Sequence, residues 1–446
     1  MSKRLILILA LAFVAGLAFS AYAEVQNVKV SGDLNVLGVS RNFGEENSGI
    51  ISIARVKVDA DLTDNVMATV RLLNERYWGT ETENAAKDNK NSNIDLDLAM
   101  VTLKEFLYSP LTLTVGRQEL HFGNDMIIGD PDTNGMVSSA SALRNRDRDL
   151  SARKAFDAIR ATLNYDPLVV DLVYAKINTN DNTNIGNDDQ NLYGINANYK
   201  VDNNNTVEGY FFEKNTGRKA NTNDANIRPK KKDVTNTVGG RIVNTSIKNV
   251  TLNAEAAYQF GTYPGTASAP SVQRKAWAAE TAATLNMPDK KYTPSVTALY
   301  AYFSGDHENN AYTTNAGAYK GWDPMFENQK FGDIANAQFQ QTNAHILGGI
   351  ATAKPADDIL LKGEYYAFWW AKAYPDGAKI TSLRGDNLTM TERRFAGQEF
   401  DLTATYNYTE DVQFSLMGGW FVAGPSITKE TQKVSSEVIG SMKVTF

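Results

Sequence analysis

The side chains best suited to chemistry in this chain are bases and carboxylates spaced two apart. Arg55, Lys57, Asp59 and Asp61 form one such run. Arg71, Arg160, Asp171, Arg241, Glu255, Glu280, Lys362, Glu364, Glu399, Asp401 and Lys443 sit on the polar parity of other segments whose alternate positions are apolar. Residues two apart share one face of a strand, so these charges predict a wall that faces water. The chemistry such a wall offers is electrostatic: bases favour anions and carboxylates favour cations. A denser basic group lies between residues 144 and 154, where Arg144, Arg146, Arg148, Arg153 and Lys154 stand against Asp147 and Asp149. That balance gives either an anion-attracting vestibule or a loop lying over a barrel mouth. Catalysis finds little support. The chain has no cysteine and three scattered histidines, His121, His307 and His345. These match neither a zinc site nor a serine–histidine pair, so no enzyme, cofactor or metal is expected.

The elements that must position these charges are strands. Period-two alternation marks eighteen segments: 27–40, 50–62, 65–77, 94–106, 110–119, 154–164, 167–177, 190–201, 205–213, 235–245, 249–260, 274–286, 293–304, 342–354, 358–370, 397–408, 411–423 and 434–446. Short links alternate with long polar ones, beginning with a long link at 41–49. This pattern predicts a closed antiparallel up-and-down transmembrane β-barrel with tight periplasmic turns and long extracellular loops. Hydrocarbon offers backbone groups no partners, so such a sheet must close and leave no edge. Aromatic pairs such as Tyr77-Trp78, Phe368-Trp369-Trp370 and Tyr406-Tyr408 suggest interfacial girdles. Residues 1–23, with Lys3 and Arg4, an apolar run and Ala21-Tyr22-Ala23, form an export signal. Its removal takes the formal charge from −6 to −8, and nothing suggests a nucleic-acid partner. Residues 24–446 then form one barrel, and no stretch is long and apolar enough for a spanning helix. The last strand ends on Phe446, the aromatic address that the barrel-assembly machinery reads.

One segment stands apart: Gly116-Arg117-Gln118-Glu119-Leu120, followed by His121-Phe122-Gly123. Leu111, Leu113 and Val115 share a face, so unbroken parity puts Arg117 toward lipid. An arginine there costs about 2–4 kcal/mol at the midplane and about 0–1 near the interface. Either Gly116 marks a bulge that turns Arg117 inward, or Arg117 lies at the outer rim. The bulge reading groups Arg117, Glu119 and Arg160 as a charged cluster at the base of loop 120–153. A salt-bridged hinge between strand and loop is the other reading of the same three residues.

The Gly-Arg-Gln-Glu-Leu box resembles that of the alginate export porin family. Phe156-Asp157-Ala158-Ile159-Arg160 resembles the family's Phe-Asp-Gly-Val-Arg strand, with Ala158 in place of glycine. Gly321-Trp322-Asp323-Pro324-Met325-Phe326 sits where the family carries a long loop. Asn124 to Gly129 departs from the pattern by lacking an arginine. The resemblance implies an eighteen-stranded, monomeric outer-membrane channel for hydrophilic solutes, plausibly anionic saccharides such as polyuronates. Other porin specificities and a non-conducting scaffold are the alternatives. Loop 120–153 is the candidate constriction and loop 305–341 the candidate lid. Arg55, Lys57, Arg71, Arg117, Glu119, Arg144, Arg146, Arg148, Arg160 and Arg241 are the candidate solute-facing residues.

Overall fold

Each of the eighteen alternating segments forms a hydrogen-bonded strand in the computed structural model, which describes residues 27–44, 46–79, 94–131, 147–179, 189–217, 232–264, 271–306, 317–383, 387–428 and 434–446. The export signal 1–23 lies outside the described residues. The first nine strands are β1 (Asn27–Asn42), β2 (Glu46–Thr63), β3 (Val66–Tyr77), β4 (Asp95–Leu103), β5 (Leu111–Glu119), β6 (Ala155–Asn164), β7 (Leu168–Asn178), β8 (Gln190–Lys200) and β9 (Asn205–Thr216). The second nine are β10 (Asp233–Asn244), β11 (Val250–Tyr263), β12 (Val272–Asn286), β13 (Ser295–Phe303), β14 (Ala344–Ala356), β15 (Ile359–Trp370), β16 (Phe395–Asn407), β17 (Val412–Ala423) and β18 (Ser435–Thr445). Every strand pairs antiparallel with its sequence neighbours. β18 closes on β1 through pairs from Asp33–Thr445 to Asn42–Ser436. Phe446 adds two backbone bonds to Gly32, at 2.8 and 3.0 Å, so the terminal aromatic lies in the seam.

Alternation now has a physical meaning. Val30, Leu34, Val56, Val70, Leu172, Leu347, Leu402 and Leu416 stand exposed on the outer face, which suits hydrocarbon. The intervening residues face inward, where polar and charged chains meet in cross-strand pairs. The sheet has no free edge, so the backbone is satisfied without water.

Two expectations need correction. The link at 41–49 is short: β1 and β2 pair through Asn42–Glu46, leaving only residues 43–45 to turn. Arg41 extends β1 because its side chain is fully engaged inside the barrel. The girdle also loses members, since Tyr77, Phe368 and Trp370 turn inward. Tyr77 bonds Asp147, and Trp370 packs edge-on to Phe339 at 5.7 Å. An aromatic at a strand end serves a girdle only on the outer parity, as Tyr406 and Tyr408 do.

The main apolar core lies inside the barrel. Leu120, Phe122, Met126, Ile127 and Ile128 from one loop meet Trp322, Met325, Phe326, Phe331 and Ile334 from another. Phe156, Phe212, Phe303, Ile346 and Phe368 of the wall complete the cluster. Burying each large chain contributes about 1.5–3 kcal/mol, so this filling is a packed plug with a defined shape.

Candidate functional site

The plug is built from two arms that sequence places far apart. Residues 120–131 follow β5, fold inward and bridge to the second arm, residues 317–343. Ile128 pairs parallel with Phe326. Phe326 N–H donates to Ile127 O at 3.0 Å, and Gly129 and Asp130 N–H donate to Phe326 O at 2.7 and 2.9 Å. These bonds weld the arms into one body. The second arm carries a short helix, α1 (Asp333–Gln338), that begins after Gly332. Gly332 has φ +79°, and a side chain there would strike the Glu399 carboxylate.

Wall carboxylates hold this body. Gly123 N–H donates to Glu208 at 2.9 Å, and Asn124 N–H to Glu255 at 2.7 Å. The Asn124 amide also bonds Glu280, and Asn253 Nδ2 donates to Asn124 Oδ1 at 2.8 Å. Further along, Ile334 and Ala335 N–H reach the two oxygens of Glu399 at 2.7 and 2.8 Å. The firmest anchor is Asp323. It accepts from Lys214 Nζ at 2.6 Å and Thr235 Oγ1 at 3.0 Å, with Arg274 at 3.9 Å. Burial alone would raise the Asp323 pKa, but the opposing Lys214 and Arg274 charges outweigh it and hold the carboxyl far below the usual range.

The remaining limb, residues 147–154, covers the inner face of β1–β3. Arg41 bridges Glu437 (2.9 Å), Asp147 (2.7 Å) and Asp149 (2.6 Å), with all four side chains almost wholly buried. Glu75 accepts from Ser151 Oγ at 3.0 Å and Ala152 N–H at 2.6 Å.

The candidate residues distribute as follows. Strand registers put Arg55, Lys57, Arg71, Arg160 and Arg241 on the inner face. Arg55 pairs with Asp33 at 2.8 Å, Lys57 with Asp59 at 2.8 Å and Arg160 with Asp171 at 2.7 Å. Arg241 lies 3.7 Å from Glu208 and bonds Asn253 at 3.0 Å. Arg148 belongs to the covering limb. Arg144 and Arg146 lie outside the described residues.

Arg117 is not turned inward. Gly116 has φ +125°, and a side chain there would collide with the backbone of β4. Even so, the β5–β6 register runs unbroken from Leu111–Leu163 to Glu119–Ala155. Arg117 therefore keeps the parity of Val115 and pairs at 3.3 Å with the exposed Asp157. The nearby bulge is in β4, where register shifts opposite Arg71 and Leu72. The expected cluster dissolves as well. Glu119 pairs with Arg71 at 2.5 Å, Arg71 also holds Asp97 at 2.6 Å, and Arg160 lies 5.4 Å over the Phe122 ring. Arg117 faces Asp157 through the unbroken β5–β6 pairing, with only 17% of its side chain exposed.

Sequence reading missed Arg41, Glu208, Lys214, Arg274, Asp323 and Glu437. The inward parity of the five strand residues was legible, but the loop groups they meet, Asp323 among them, follow a path that periodicity does not encode. Glu327 adds a titratable group to the plug. Burial pushes its carboxyl up to about 8, with Asp130 and Asp125 raising it further and Lys154 and the Gln329 N–H opposing. Its folded pKa lies above the ordinary value, so its stabilising share is full below about 4.3 and is lost as pH rises toward 8. Proteolysis of segment 317–343 should accelerate between pH 5 and pH 9. Glu327→Gln should flatten that profile, and an unchanged slope in the variant would refute the assignment.

Comparison with known proteins agrees with this architecture. The family model described as alginate export matches residues 34–441. Among solved structures, Pseudomonas aeruginosa OccK2 (OpdF), in complex with glucuronate, superposes with a TM-score of 0.57 at 10% identity, covering 95% of this chain and 99% of that one. P. aeruginosa OccD3 (OpdP) gives 0.54 at 11% identity, covering 95% and 92%. Acinetobacter baumannii OccAB4 gives 0.52 at 9% identity, covering 95% and 99%. No curated protein sequence matches the chain. The box around Gly116, the eighteen-stranded closure and the match over nearly the whole length agree: the chain belongs to the alginate export family and is a porin-like β-barrel of the bacterial outer membrane.

Proposed function

We propose that this barrel passes anionic saccharides, of the polyuronate kind, by passive diffusion. One observation carries the sign of charge. At five inner-face ion pairs the base is more exposed to water than its carboxylate, while Arg71 with Glu119 has the reverse order, 12% against 36%. Arg160 is 31% exposed against 6% for Asp171, and Lys362 is 40% against 10% for Glu364. The pairs Arg55–Asp33, Lys57–Asp59 and Arg241–Glu208 are ordered the same way. Long basic chains extend past their short partners, so a solute meets cations although the chain is acidic overall. The plug formed by residues 120–131 and 317–343 narrows the path and selects by size. The glucuronate in the OccK2 structure is a solute of the same chemical class.

The histidines favour a channel over a hydrolase. His121 bonds Asp125 at 3.1 Å and His345 bonds Tyr300 at 2.7 Å, neither of them an activated serine. His307 lies outside the described residues. In this reading the protein works as a monomer among outer-membrane lipids, delivered by assembly machinery that reads Phe446.

The test is reversal potential in a planar bilayer with asymmetric salt, followed by block with oligouronates. Anion preference and concentration-dependent block are expected. Arg55→Gln/Lys57→Gln/Arg241→Gln should weaken both several-fold. Cation preference without block would overturn the reading.

A further inference from the structure

The path left open by the plug can be located from residues 329–335. Gln329 is tied to β12, where its Nε2 donates to Glu280 at 2.6 Å. Ile334 and Ala335 are tied to β16 through Glu399. The segment between them is a chord across the barrel interior, held at both ends. Its near side is sealed: Phe331 is buried against Phe303 of β13 at 6.3 Å and Tyr366 of β15 at 6.5 Å. Lys330, the preceding residue, is 56% exposed. It feels the charges of Asp333 on its own arm, Asp149 on the covering limb and Glu437 on β18. An exposed side chain on a chord inside a barrel, with groups of the opposite wall facing it, borders water that fills the remaining gap.

We propose that Lys330 stands in this gap and sets the sign of charge that passes. The proposal rests on the anion-passing reading and names the residue that does most to enforce it. Carboxylates surround the gap, and all of them but Asp333 are buried. Asp147, Asp149 and Glu437 share the buried Arg41, whose guanidinium is 1% exposed and presents no charge to solutes. Asp333 lies 3.2 Å from Lys330 Nζ, and Asp401 and Glu399 lie behind it on β16. Lys330 is a base that reaches water here, as is the partly exposed Arg148 of the covering limb. Burial works to discharge the ammonium, but the surrounding carboxylates outweigh it and keep it protonated. Lys330 thus offers the solute one movable cation beside the partly exposed Asp333. Low-dielectric walls strengthen a single charge in a narrow passage, so its removal should matter more than removal of a wall base that retains neighbours.

Reversal potential tests this directly. Lys330→Gln should lower the anion-over-cation permeability ratio several-fold, more than any one of Arg55→Gln, Lys57→Gln or Arg241→Gln, and Lys330→Arg should restore it. A structural role alone would not follow charge in this way. Because the chain contains no cysteine, Lys330→Cys supplies a single thiol. A positively charged thiol reagent should return selectivity toward wild type, and a negatively charged one should drive it toward cations. Lys330→Gln at wild-type reversal potential, with Lys330→Cys selectivity unmoved by either reagent, would overturn the proposal. If wild type itself prefers cations, the saccharide reading falls, and the two reagents still report whether residue 330 faces the ion path.

Discussion

Asp323→Ala is expected to raise single-channel conductance and to lower the temperature at which the folded barrel loses its compact gel mobility. Asp323 is where the plug is bolted to the wall. Besides Lys214, Thr235 and Arg274, it is framed by Gln259, which accepts the Asp323 N–H at 2.9 Å and donates to its carbonyl at 2.7 Å. Removing the carboxylate leaves Lys214 buried without a counter-charge, beside an Arg274 that keeps Asp233 at 2.9 Å. Breaking a buried pair by deleting one partner costs about 3–5 kcal/mol, enough to favour release of the arm over retention of an unpaired buried lysine. The Ile128–Phe326 bridge would then pull residues 120–131 away with it. Asp323→Asn keeps the hydrogen-bond geometry but loses the charge, and should fall between alanine and wild type. The depressed folded pKa fixes the pH response: this anchor is at full strength above the ordinary carboxylate range and weakens only as pH falls well below it. Wild-type conductance should therefore be insensitive to this group between pH 5 and 7. Unaltered conductance and melting in Asp323→Ala would mean that the plug is held elsewhere.

Arg41→Met should produce the second large effect, at the seam of the barrel. The guanidinium uses three of its nitrogens on three carboxylates, from β18 and from the limb 147–154. Without it, Asp147, Asp149 and Glu437 repel one another in a site without access to water, again at about 3–5 kcal/mol. The limb should detach and become open to protease near Arg153, while β1 and β18 lose the contact that crosses their junction. Replacing the whole set, as in Arg41→Met/Asp147→Asn/Asp149→Asn/Glu437→Gln, should recover part of the loss, because apolar or neutral substitutes for an entire buried network are tolerated better than half of it. A quadruple variant no more stable than Arg41→Met would show that packing of the arginine stem, and not its charge, carries the seam.

The barrel was legible from alternation because lipid imposes it on each strand independently. Val56-Val58 and Leu402-Ala404 announce an outer face without reference to any distant residue. The same independence put Arg55, Lys57, Arg160 and Arg241 on the inner face. It also holds Arg117 outward, despite the positive φ of Gly116, through an unbroken pairing with β6. The link at 41–49 was misjudged because polarity reads as loop, whereas Arg41 and Asn47 are polar residues of paired strand. The plug was not legible. Gly321 to Phe326 resembled a family loop, but nothing in its spacing says that Asp323 meets Lys214 or that Phe326 meets Ile128. Such contacts depend on where the finished wall brings β9, β10 and β12.

The meeting of the two arms also bears on how the molecule is made. Asn124 and Gln329, joined by a 2.9 Å bond, are 205 residues apart in sequence. Contacts of such separation form slowly, because a long loop must be closed before any of them is rewarded. Strand pairing between neighbours carries a far smaller entropic penalty, and the arms have their docking residues only once the wall stands. The plug is therefore a late, high-contact-order element. Only the β1–β18 seam, where Asp33 pairs with Thr445, joins residues still farther apart in sequence.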